Sequence, residues 1–271
     1  MYPRPPASAP LLGARVANSR LRVGGLASAG GAVTLTQCDG TTCGATVILA
    51  ARLLLGMPAP AALHDAGSDA RRPGRALQET LAACQRRLQH TMNRHARGPL
   101  GPLPWTRRLG STPWALAAEL TRVLRQAGHD VAACAVEWVD DRGSDWPAVV
   151  GRLRSRLVYG TPAILLTGGP LAGRREPAGR AHRALHAALA AAPAIPRHYV
   201  LALPWTLIGR TDPGAGRVHV YEPSSGTVRA LDLLAPRSAS GRGPHELGGW
   251  PRVLAVIAPP QSFDSQQTRD N

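Results

Sequence analysis

Cys43 closes the segment Gln37-Cys38-Asp39-Gly40-Thr41-Thr42-Cys43 and is separated only by Gly44 from the apolar run Ala45–Leu55. A thiol acting as a nucleophile needs a position that favours the thiolate, a nearby base, a group that orients the base, and donors for the oxyanion. The sequence offers a candidate for each. A cysteine where a helix begins faces backbone N–H groups and the positive end of the helix dipole, both of which favour a thiolate. Gly44 lets the chain approach a substrate closely. Gln37, six positions before Cys43, can return its carboxamide toward the sulfur and pair with the Cys43 N–H as an oxyanion hole. His198 opens an apolar strand, and Glu222 ends a neighbouring one, where its carboxylate can hold the imidazole in one tautomer.

These residues must be carried by elements that the sequence also announces. The run Ala45–Leu55 is apolar nearly all round and stops at Gly56 before Pro58, as a buried helix does. Further helices are expected over 76–96, over 112–127, where Thr112-Pro113 makes a start and Gly128 a stop, and over 146–158. The 76–96 helix is rich in Arg and Gln on one side and reads as a surface element. Strands are expected at 131–139, 161–167, 198–203, 218–222 and 253–257. An early helical half followed by strands that can pair antiparallel predicts an α+β fold. Residues 1–32 read as a flexible segment, 33–258 as one domain with a helical insertion around 57–145, and 259–271 as a disordered tail.

The chain has 271 residues and 44% hydrophobic residues, enough to bury a substantial core. Its net charge of +15 would suit an anionic partner. Every basic residue is Arg, however, among abundant Ala, Gly and Pro, which is the mark of a high-GC genome. The arginines are scattered and not interleaved with aromatics, so nucleic acid is not indicated as a partner. Four cysteines, Cys38, Cys43, Cys84 and Cys134, are too few and too unevenly spaced for a disulfide framework, and no C-x-x-C pair suggests zinc. No signal peptide or apolar segment of membrane-spanning length is evident, so the expectation is a cytoplasmic protein, or one exported without a recognisable signal, with no membrane insertion.

The block Gln37-x5-Cys43-Gly44-Ala45, followed by an apolar helix, resembles that of the bacteriocin-processing (double-glycine leader) cysteine peptidases, a bacterial branch of the papain-like fold. His198-Tyr199-Val200 resembles the family's His block, Gly216–Gly226 its strand ending in Asp-Pro-x-x-Gly, and Gly160-Thr161-Pro162 its preceding Gly-x-Pro strand. The likeness covers roughly residues 33–56 and 158–230. It implies a papain-like fold in which Cys43 attacks a carbonyl, His198 serves as base then acid, Gln37 stabilises the oxyanion and an acidic residue holds His198. Two features depart from the pattern. Glu222 stands where Asp is usual, with Asp212-Pro213 as a rival orienter, and 155 positions separate Cys43 from His198. The surplus length points to an insertion or lid around 57–145. No transporter parts accompany the motifs, so transporter-coupled leader cleavage is not implied.

The remaining chemistry-bearing residues have plainer readings. Cys38 could pair with Cys43 under oxidation, although a structural thiol fits as well. His182 and His186 have metal-binding spacing but no third ligand, and His90 and His95 are weaker; no metal or cofactor is expected. Trp105, Trp114, Trp138, Trp146 and Trp205 read as core or interface anchors, with Trp205 placed to wall the cleft. The leading function is a thiol hydrolase acting on a peptide or isopeptide bond of a peptide or protein substrate. A transamidase or deamidase with the same site, and a non-catalytic peptide-binding module, are the alternatives.

Overall fold

The computed structural model describes residues 12–25, 32–57, 73–170, 194–237 and 241–261. Among the described residues its frame is α+β: an open antiparallel sheet and four helices. The nine strands are β1 (Leu12–Ala17), β2 (Arg20–Gly25), β3 (Val33–Thr34), β4 (Ala135–Trp138), β5 (Ala163–Gly169), β6 (Ile195–Leu203), β7 (Arg217–Glu222), β8 (Thr227–Asp232) and β9 (Arg252–Ala258). They lie in the order β1-β2-β8-β7-β6-β5-β9-β4, with β3 beside β2. The helices are α1 (Cys43–Leu54), α2 (Pro73–Met92), α3 (Pro113–Gln126) and α4 (Trp146–Val158).

The central strands are apolar without alternation because both faces of the sheet are covered. In β5, Ile164 and Leu166 point into a core shared with α1, α2 and α3, whereas Ala163 and Leu165 point to a second core filled by Trp146, Val149, Val150, Leu153 and Leu157 of α4. Helix α1 lies in the first core and is buried along nearly its whole circumference. Its continuous apolar run follows from contacts with the sheet on one side and with α2 and α3 on the others. In α3, the Thr112 hydroxyl accepts from the Ala115 N–H at 3.2 Å and Pro113 occupies the first turn, so the start signal in the sequence operates as expected.

Several expectations require correction. Residues 12–25, expected to belong to a flexible segment, form the β1–β2 hairpin and join the sheet. Leu21 N–H donates to Gly226 O at 2.9 Å and Val228 N–H to Ser19 O at 2.8 Å, so an edge of β8 supplies the order that local composition does not. The antiparallel sheet is therefore not confined to the C-terminal half. The stretch 57–145, expected as an insertion or lid, is over its described part integral to the core: α2 and α3 pack on α1, and β4 extends the sheet by pairing with β9. At the C-terminus, Pro259 O accepts from Arg156 Nε at 2.8 Å, so the tail is anchored at least at its first residue. Among the described residues no helix is long and apolar enough to cross a membrane.

Candidate active site

Cys43 is the first residue of α1, and its N-cap Thr42 makes no side-chain capping hydrogen bond. The first-turn N–H groups are thus not consumed by a cap and point toward the thiol end of the helix. Thr42 instead turns its hydroxyl to the preceding loop, where it accepts from the Asp39 N–H at 3.2 Å. Gly44 makes a close approach: a methyl group there would sit 3.1 Å from Leu116 Cδ1, which would have to shift by a few tenths of an ångström, and 3.5 Å from the Tyr199 ring. Helix α1 can therefore lie close against α3 and β6.

His198 is the fourth residue of β6, not its first, and is 7% exposed. It lines the same cleft as Cys43, whose thiol favours the protonated ring, and its Nε2 lies 2.9 Å from Glu222 Oε1 on the adjacent strand β7. With Nε2 engaged by the carboxylate, Nδ1 is the ring nitrogen left for the sulfur. Burial by itself would lower the affinity of the imidazole for a proton. The interactions with Cys43 and Glu222, and the charges of those groups, overcome that penalty and raise its pKa to about 9.

Glu222 is fully buried and its two oxygens are saturated. Besides His198, Oε1 accepts from Ser224 N–H at 2.7 Å, and Oε2 accepts from Ser224 Oγ at 2.8 Å, Ser225 N–H at 2.9 Å and Ser225 Oγ at 2.7 Å. Burial would raise the pKa of this carboxyl; the donors from His198, Ser225 and Ser224 prevail and lower it to about 2. The longer side chain of Glu is accommodated by the Pro223–Gly226 turn, which folds back over its carboxylate. Asp212, the rival orienter, is at the surface, where Arg154 holds it at 2.9 Å, and it does not reach His198.

Gln37 is tied to the same region through its backbone: its N–H donates to Pro223 O at 2.7 Å, next to Glu222. Its Oε1 is buried without a hydrogen-bond partner. Gln37 is not among the residues that line the cleft onto which Cys43 and His198 open. That cleft is a cavity of about 520 Å³ bounded by Leu100, Trp105, Leu109, Trp114 and Trp138, with Arg108 and Arg197 also at its border. Trp105 Nε1 and Ser111 Oγ, both on this lining, are buried and unpartnered. Tyr199 braces the wall from below: its hydroxyl donates to Ser111 O at 2.8 Å, and burial raises its pKa.

Trp205, expected on the cleft, packs instead against the second core with Arg154 over its ring, at 5.7 Å from the ring centroid. The wall is formed instead by Trp105, Trp114 and Trp138, expected as core or interface anchors. Trp138 is 52% exposed, so its wall position has no counterpart in a burial pattern.

Gly248, which no motif marks, also belongs to the site. A Cβ there would lie 2.4 Å from His198 Cδ2 and 2.9 Å from Nε2, so only a glycine lets the 244–249 turn rest on the imidazole. All four cysteines are free thiols, and the Cys38 sulfur is turned toward α2, 3.8 Å from Ala82 O. His182 and His186 lie outside the described residues; among the described residues no cluster of three His, Cys, Asp or Glu could hold a metal ion. No protein-family model, curated protein or solved structure matches the chain.

Proposed function

We propose that the chain is a cysteine hydrolase of papain-like fold that cleaves a peptide, isopeptide or related amide bond through an acyl-enzyme. The observation that carries this reading is the buried His198, which shares a cleft with Cys43 at the start of α1 and whose Nε2 meets Glu222 Oε1 at 2.9 Å. A buried imidazole held between a thiol at a helix start and a saturated carboxylate is arranged to take the thiol proton and keep it. The Cys43 thiolate adds to the substrate carbonyl, forming the C–S bond and an oxyanion bonded by the Cys43 N–H and the Gln37 carboxamide. Collapse of that intermediate breaks the C–N bond as the imidazolium delivers its proton to the leaving amine. His198 then takes a proton from water, whose oxygen attacks the thioester, and the acid departs with regeneration of the thiol. Throughout, Glu222 remains ionised and fixes the ring. The apolar cleft beside Cys43 suits a peptide or protein substrate.

The test is the rate of alkylation by iodoacetamide at pH 6, with the four cysteines resolved by peptide mass mapping. Cys43 should react fastest and lose its advantage in His198→Ala. Equal rates at Cys43, Cys38, Cys84 and Cys134 would remove the enzyme reading in favour of a binding module.

A further inference from the structure

The stripe Gln85, Gln89 and Asn93, spaced four residues apart along and just beyond α2, is buried to 1%, 2% and 4% exposure although every member is polar. Buried carboxamides demand partners, and these find them on the backbone of the loop that leads to Cys43. Gln85 Nε2 donates to Thr36 O and Gln85 Oε1 accepts from the Cys38 N–H, both at 2.8 Å. Gln85 therefore grips the chain immediately before and immediately after Gln37, as a neighbouring strand would. Four residues on, Gln89 Nε2 donates to Thr41 O at 2.8 Å, near the far end of the same loop. Asn93 Nδ2 extends the row to Gly110 O, also at 2.8 Å, on the cleft wall.

Gln37 Oε1 has no hydrogen-bond partner of its own, so no bond to that oxygen fixes the direction of the carboxamide. The root of the side chain is placed by the two peptide planes flanking its Cα. Gln85 fixes both of those planes, and the Gln37 N–H bond to Pro223 O fixes the strand side.

We infer that Gln85, backed by Gln89, is a positioning residue that aims the Gln37 carboxamide at the oxyanion formed when Cys43 attacks a carbonyl. The inference rests on the hydrolase reading above. Helix α2 is on this account a template for the oxyanion loop, which explains why two of the three glutamines of an Arg- and Gln-rich helix, Gln85 and Gln89, lie on its inner side while Gln78 is exposed.

The experiment uses the full chain and two probes. Iodoacetamide alkylates Cys43 by displacing iodide and forms no oxyanion. N-acetyl-phenylalaninal accepts the Cys43 sulfur at its aldehyde carbon, and the former carbonyl oxygen takes up the charge or a proton from His198; its affinity is read as protection of Cys43 against iodoacetamide. Gln37→Ala and Gln85→Met should each weaken the aldehyde by roughly tenfold to a hundredfold, while iodoacetamide alkylation falls less than about threefold. The double variant should be no weaker than Gln37→Ala alone, because the two residues act as one unit. The exposed Gln78→Met on the same helix is the control.

Gln85→Glu supplies a second readout should the Met variant fail to fold. A protonated carboxyl can accept from Cys38 N–H and donate to Thr36 O, whereas a carboxylate repels that carbonyl. The affinity ratio of this variant to wild type should climb toward one as pH is lowered from 7.5 to 5. Additive losses in the double variant, wild-type aldehyde affinity in Gln85→Met, or a pH-independent ratio in Gln85→Glu would each overturn the inference while leaving the hydrolase reading standing. A wild-type Cys43 no more reactive than the other three thiols would instead remove that reading, and the inference with it.

Discussion

Replacing Glu222 by Gln keeps the size of the side chain and removes its charge, and the surroundings allow the cost to be worked out. The best orientation leaves the amide oxygen on His198 Nε2 and Ser224 N–H. The new NH2 then occupies the place of Oε2, where the Ser224 and Ser225 hydroxyls can rotate to accept, but the Ser225 N–H at 2.9 Å cannot. One buried donor is orphaned, a loss of about 1–3 kcal/mol. The lost charge adds to this. Glu222 titrates near 2 in the fold against an ordinary 4.5, and at about 1.4 kcal/mol per tenfold change in proton affinity that gap corresponds to about 3 kcal/mol.

The sign follows from the depressed value. The contribution is fully present above 4.5 and fades as pH falls toward 2. At pH 7 Glu222→Gln should therefore unfold with at least about 3 kcal/mol less stability, a Tm lower by roughly 6–12 °C for a chain of this size. The gap from wild type should narrow as unfolding is repeated at pH 4 and pH 3. Cys43 alkylation at pH 6 should slow by roughly tenfold, since the imidazolium loses its counter-charge. Equal urea midpoints for the two proteins at pH 7, or a gap unchanged between pH 7 and pH 3, would refute the account of Glu222 as an ionised, charge-stabilised orienter.

Three further outcomes are expected. Gly248→Ala should push its methyl into the His198 ring and also strain a backbone held at φ +67°, lowering Cys43 alkylation by roughly a hundredfold; a wild-type rate would show that the turn yields. Asp212→Asn should leave alkylation within about twofold of wild type, and a larger fall would reinstate Asp212 as an orienter. Because the His198 pKa is raised to about 9 from 6.5, its contribution is complete below 6.5 and is lost as pH rises through about 9. The stability difference between wild type and His198→Gln should accordingly shrink between pH 7 and pH 10, as read by urea unfolding; a difference that grows would mean the ring is held neutral.

The sequence by itself determined those features whose causes are local. Helix α1 begins at Cys43 because the apolar run and its Gly56 stop are neighbours in the chain, and α3 begins after Thr112 because a hydroxyl and a proline act within one turn. Strands β5, β6, β7 and β9 were legible because both of their faces are apolar or end in turn residues, and with them the placing of His198 and Glu222 on strands.

Other features depended on partners far away in the chain. The β1–β2 hairpin, Gly- and Arg-rich, takes its order from β8 some 200 positions later. Gln85 and Gln89 share a helix with exposed arginines, and polarity in a sequence does not tell a solvated side chain from one that replaces water with a distant backbone. Gly248 meets His198 across 50 positions, and Trp138 rather than Trp205 reaches the cleft because β4 lies at the sheet edge beside α3. Periodicity records which way a side chain faces along its own element. Which backbone, ring or cavity it then meets is decided only when the sheet order brings remote segments together.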